Sequence, residues 1–164
     1  MARNLSHRVF RRLRDAGGTS IVEAAVITPL LLLLTLSIVD FGLLFFVHLS
    51  LENGVSQATR LVVTNQMMDD PANPGTKLNR VDSIKLAMRQ ATPTLTIPDS
   101  AFTFTNLPAG SAVWVGGAGG PGDIGKVSIN YTWKLFNPML WPFFTSGQIT
   151  LVAESAMKNE ASPQ

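Results

Sequence analysis

Residues 24–39 read AAVITPLLLLLTLSIV, sixteen positions without a charge. Asp40 interrupts the run and FGLLFFV resumes it, so the 24 residues from Ala24 to Val47 carry a single acid. As a helix rising ~1.5 Å per residue, this stretch reaches across a ~30 Å hydrocarbon core. The whole chain has 164 residues, enough for one domain but too few to wrap such a helix on every side. We therefore expect a transmembrane segment at about 24–47.

The charges around the run give it a direction. Arg3, Arg8, Arg11, Arg12 and Arg14 precede it, opposed only by Asp15. After it the first base is Arg60, beyond Glu52. The positive-inside tendency then places the N-terminus in the cytoplasm and the rest outside, which in a bacterium is the periplasmic side of the inner membrane. The formal net charge of +2 and the pI of about 9.3 come from these arginines. Residues 19–164 hold eight bases against ten acids. That balance gives no reason to expect a nucleic-acid partner.

Little in the chain points to catalysis. There is no cysteine, and His7 and His48 stand on opposite sides of the apolar run. Zinc knuckles, iron–sulfur clusters and cysteine nucleophiles are thereby excluded, and a histidine-rich metal site is not expected. No histidine follows His48, so no Ser/His/Asp set is available to the C-terminal part. Gly120–Lys126 (GPGDIGK) formally fits GxxxxGK. A phosphate loop needs a following Ser or Thr and a helix N-terminus, whereas here Val127 opens a strand pattern. We read it as a loop between strands and expect no catalytic, cofactor-binding or metal-binding residues.

Beyond the apolar run the pattern stays helical. Leu44, Leu51, Val55, Ala58 and Val62 form a stripe at three- and four-residue steps, with Gly54 as a weak point. Asp69-Asp70-Pro71-Ala72-Asn73-Pro74-Gly75 ends it. This predicts one helix over 19–66, apolar first and amphipathic later. A second helix is predicted from Asn79 to Ala91, stopped by Pro93. The period then changes to two around Leu95/Ile97, Phe102/Phe104, Val113/Val115, Val127–Leu135 and Ile149–Ala153, with a last helical turn expected near Met157. The fold class is α+β: a long N-terminal transmembrane and amphipathic helix, then a small periplasmic domain over 67–164 with a short helix and three to five mostly antiparallel strands. The apolar loop Phe136–Phe144 reads either as a core plug or membrane-surface contact, or as a partner-binding patch.

The membrane border reads Arg14-Asp15-Ala16-Gly17-Gly18-Thr19-Ser20-Ile21-Val22-Glu23-Ala24. An acid at the start of a membrane helix is costly to bury and is a functional candidate. An interfacial position, where an acid also suits a helix N-terminus, is the plainer account. The arrangement resembles the class III (prepilin-type) leader of type IV pilins. Further along, Val22-Glu23-Ala24-Ala25-Val26, Pro29-Leu30, Asp40-Phe41-Gly42 and Leu51…Ala58-Thr59-Arg60 resemble the TadE-like family of Flp/Tad pilus assembly. Ala24 stands where an aromatic residue is frequent in that family, and Ala58-Thr59-Arg60 replaces Ala-Ala-Arg; neither touches the leader.

The resemblance implies a type IV pilin-like fold and a basic leader over 1–18. It implies cleavage between Gly18 and Thr19 by a prepilin peptidase, and a minor pseudopilin role in which Glu23, as fifth mature residue, pairs with the terminal amine of a neighbouring subunit. Pilin and pseudopilin subunits and the Tad machinery are the implied partners, beside the lipid bilayer. From the residues themselves, Asp40 is a second intramembrane acid; since Arg60 lies ~30 Å along the same helix, a partner subunit or snorkelling toward the outer interface must satisfy it, and we favour a helix–helix contact. Pro29 is expected to kink or locally open the helix. An unprocessed single-pass signal anchor, or a secreted protein with a conventional signal peptide, remains the alternative.

Overall fold

In the computed structural model, residues 20–64 and 66–160 are described in full and residues 5–19 by their helical backbone alone. The element order is α1 (Leu5–Thr64), α2 (Arg80–Ala91), β1 (Phe102–Leu107), β2 (Val115–Gly116), β3 (Ile124–Lys134) and β4 (Gln148–Lys158). One helix, over Ser20–Thr64, is long and apolar enough to cross a membrane, which fits a membrane-anchored protein. The fold is α+β, as the change of sequence period predicts.

α1 is longer than the predicted helix because its backbone is already helical at Leu5; it stops at Thr64 rather than at residue 66. Its two halves have different surroundings. From Ser20 to Val39 nearly every side chain is exposed. From Val47 onward one stripe is buried: Val47, Leu51, Val55, Ala58 and Val62. The predicted stripe is therefore the core face, with Leu44 packed at its margin.

α2 begins where expected. Asn79 is its N-cap, accepting a hydrogen bond from the Asp82 N–H (2.8 Å), while the Asn79 side-chain amide donates to Asp82 in return (2.8 Å). Such a cap satisfies an otherwise orphaned amide of the first turn. Ile84 and Met88 turn from α2 into the core shared with α1.

The four strands form one antiparallel sheet in the order β2-β1-β3-β4. β3 and β4 pair from Ile124↔Lys158 to Lys134↔Gln148. Alternation sorts the faces. Val127, Ile129, Leu151 and Ala153 join the core. On the opposite face Ser128 donates to Glu154 (2.9 Å) and Lys126 pairs with the same carboxylate (3.0 Å). Two expectations fail. Leu95 and Ile97 lie in no strand, because Pro93 and Pro98 bracket them and remove amides that a ladder needs. The helical turn near Met157 is also absent: β4 runs through Lys158, held by its full pairing with β3.

The end of the domain near Thr64 is tied by polar groups. Arg80 donates to the carbonyls of Val62 (2.7 Å) and Gly119, and the Glu160 N–H donates to Val63 O (3.1 Å). These satisfy α1 carbonyls that have no helical partner. Asp123, inside the GPGDIGK loop, accepts from the amides of Gly120 (2.7 Å) and Ala109 (2.9 Å) and from the Asn106 side chain (3.2 Å). That loop binds its own carboxylate and passes into β3.

The backbone amide of Gly120, more than any other donor, holds the Asp123 carboxyl below the ordinary aspartate range. The folded state therefore gains from this group above its unfolded pKa and loses that gain as pH falls through the depressed value. Thermal unfolding in detergent, followed by circular dichroism, should weaken below about pH 4. Asp123→Asn should unfold earlier at neutral pH and show a smaller acid-induced drop.

Candidate assembly site on the membrane helix

The predicted site residues divide into three environments along α1. The Gly18–Thr19 junction lies outside the residues whose side chains are described. Glu23 sits on the bare part of the helix, exposed, and no hydrogen bond or ion pair is seen at it among the described residues. Asp40 is 0 % exposed.

Asp40 finds its partners inside the chain. The Phe136 N–H donates to Asp40 Oδ1 (2.7 Å) and the Asn137 N–H to Oδ2 (2.6 Å). Both oxygens are thus engaged by consecutive backbone amides of the β3–β4 connection. This corrects the expected helix–helix partner. The physical reason is that loop amides can meet a buried carboxylate with short, charge-assisted bonds and bring no charge of their own. Arg60 is exposed and plays no part.

The connection is built to present those amides. Asn137 is buried, and its side chain caps the short 3₁₀ turn Pro138–Phe143 by accepting from the Met139 N–H (3.0 Å). The Trp141 indole N–H donates to Leu135 O (3.0 Å). Its ring packs so closely on Gly147 (φ 65°) that a Cβ there would stand 2.5 Å from the indole. The loop is therefore not a core plug. Only Leu135, Asn137 and Gly147 along it are buried, whereas Phe136, Met139, Trp141 and Phe143 point outward.

Glu23 and Asp40 do not form one site. Seventeen residues of helix separate them by ~25 Å along the axis and ~100° around it. Pro29 lies between them, inside α1, which is helical on both sides of it. Its missing N–H leaves the Ala25 carbonyl without a helical donor. The expected local opening of the helix is not seen there.

Sequence reading missed two residues that shape this site. The Phe136 and Asn137 amides carry no side-chain signature; the one available hint was that Asp40, buried in an apolar run, requires donors. Away from this site, Gly54, read as a weak point, is a place where α1 packs directly on α2: a Cβ there would lie 2.4 Å from the Met88 sulfur.

No curated protein and no solved structure matches the chain. The family model described as TadE-like protein matches residues 18–60, a span that begins at Gly18 and takes in Glu23, Pro29, Asp40 and Arg60. The chain is thus similar to TadE-like proteins over residues 18–60, the part of α1 on which both acids stand.

Proposed function

We propose that this chain is a minor pseudopilin-like subunit for assembly of a Tad/Flp (type IVc) pilus, supporting pilus biogenesis and surface attachment rather than catalysis. It is inserted in the bacterial inner membrane with its N-terminus cytoplasmic and its α+β domain periplasmic. A prepilin peptidase removes residues 1–18, stripping the arginine-rich end and creating an amine at Thr19. The TadE-like match supports the link to pilus assembly.

The observation that carries the reading is the contrast between the two acids. Asp40 is satisfied within its own chain, whereas Glu23 stands exposed on a bare apolar helix five residues after Gly18. A lone carboxylate in an apolar surrounding is expensive, and pairing with a neighbouring subunit's amine relieves much of that expense. Glu23 thereby sets the register of subunit against subunit.

The test is one preparation from native membranes with two readouts. Intact mass should place the N-terminus at Thr19 in wild type and in Glu23→Ala alike. Wild type should co-purify with its pilus partners, and Glu23→Ala should lose most of that association. An intact Met1 in wild type would favour a signal anchor, and a start beyond Ser37 a secreted product. Undiminished co-purification of Glu23→Ala would remove the registry role.

A further inference from the structure

The bare stretch of α1 from Ser20 to Val39 is twenty residues, or ~30 Å of helix, the thickness of a bilayer core. Asp40 follows immediately. With this bare stretch as the span, in place of the 24–47 expected from composition, Asp40 and the two loop amides it holds stand at the boundary where hydrocarbon gives way to headgroups. The β3–β4 connection is tied to α1 at that level by these two bonds.

The outward face of this connection is apolar. Phe136 (74 % exposed) and Phe143 (78 %) are as bare as Ile21 (72 %) on the membrane helix itself. Met139 and Trp141 are also exposed, as are Phe41, Leu43, Phe45 and Phe46 on α1 just past Asp40. No charged residue occurs from Leu135 to Gly147. At its margin Lys134 Nζ lies 5.2 Å from the Trp141 ring centroid. Aromatic rings flanked by a lysine are the composition that settles at a membrane–water interface, where the ring lies among headgroups and the ammonium reaches water and lipid phosphate.

We propose that the 136–144 connection is a second membrane contact, in which Phe136, Trp141 and Phe143 enter the interfacial layer of the leaflet where α1 emerges. The occupant is lipid, because the patch continues the exposed apolar surface of α1 without a break in level. Asp40 acts as the latch that fixes the depth of the loop by holding it to the helix. The inference rests on α1 spanning a bilayer and is independent of any role in a pilus.

The chain has no cysteine, so single nitroxide labels can be placed cleanly. The full-length protein is labelled at Phe143→Cys, Phe136→Cys, Leu32→Cys or Ala112→Cys. Each variant is reconstituted in vesicles of phosphatidylcholine and phosphatidylglycerol, and accessibility to oxygen and to a water-soluble nickel chelate is measured. Labels at 143 and 136 should lose nickel accessibility and gain oxygen accessibility, with 32 deeper still and 112 fully aqueous. The phenylalanines are largely exposed, so neither substitution disturbs the fold, and two positions guard against a single failed variant. Aqueous labels at 143 and 136 with a buried label at 32 would overturn the proposal while leaving the span intact. An aqueous label at 32 would overturn the span and the proposal together. Labels at 143 and 136 shielded from both reagents would mean a protein surface covers the loop, which also overturns it.

Discussion

Replacing Asp40 with leucine should release the β3–β4 connection from the membrane helix. The variant keeps an apolar helix and removes the acceptor of two short bonds, to Phe136 N–H and Asn137 N–H. A buried amide left without a partner costs about 1–3 kcal/mol; the Asn137 amide is buried and the Phe136 amide part-buried, so losing both acceptors should destabilise the docked domain by about 2–4 kcal/mol, below twice the full cost because water can reach the Phe136 amide. Asp40→Asn should lie between wild type and leucine. Its carbonyl can still accept one N–H, but its amide group would meet the other donor head-on. Hydrogen exchange at the amides of residues 136 and 137 reads this directly: protection should fall in Asp40→Leu and persist in the rest of β3. Unchanged protection at both amides would mean that the carboxylate does not hold the loop.

Gly54→Leu should be the most damaging change in the domain core. A methyl group alone at position 54 would lie 2.4 Å and 2.8 Å from Met88 Sδ and Cε, and 2.8 Å from Thr92 Cγ2. The methionine end is flexible and can shift; the β-branched threonine is stiff at χ1 and sits at the C-terminus of α2. Gly54→Ala thus combines a helix-propensity gain of about 1 kcal/mol with an overpacking penalty of about 1–3 kcal/mol. It should come out mildly destabilising. Leucine cannot be housed without separating α1 from α2, and near-UV circular dichroism should show loss of fixed packing. Met88 is fully buried, so Met88→Ala is costly by itself, but in a double-mutant cycle Gly54→Ala and Met88→Ala together should cost less than the sum of the two single changes, since the two sites share a contact. Strictly additive costs would shift the explanation from packing to the backbone.

Much of this architecture could be read from residue order because short-range chemistry decides it. The stripe of Leu51, Val55, Ala58 and Val62 is a periodicity, and periodicity survives into the fold as the buried face of α1. Asn79 and Pro93 bound α2 through cap and breaker chemistry that depends on near neighbours alone. The alternation from Val127 to Trp133 likewise becomes β3. What stayed hidden depends on residues far apart in sequence. Asp40 lies 96 and 97 positions from its partners, and those partners are backbone amides, which every residue but proline owns. Leu95 and Ile97 show the opposite failure: a period of two was present, and the flanking prolines denied it a ladder. Gly54 looked like a defect along its own helix and acquires its meaning only across the interface with α2.

The way α1 runs unbroken from its bare half into the domain has a mechanical consequence. No linker separates the bare half of the helix from the half that lies in the core; the covalent path turns back only after Thr64. A force along the helix axis at its bare end therefore loads the domain in shear. Val47, Leu51, Val55, Ala58 and Val62 would all have to slide past the sheet and α2 together, while the Asp40 clasp resists at the near end and Arg80 at the far one. Packed interfaces of this kind yield in discrete steps rather than by gradual stretching. Moving the anchor accordingly moves the domain with it as one rigid body.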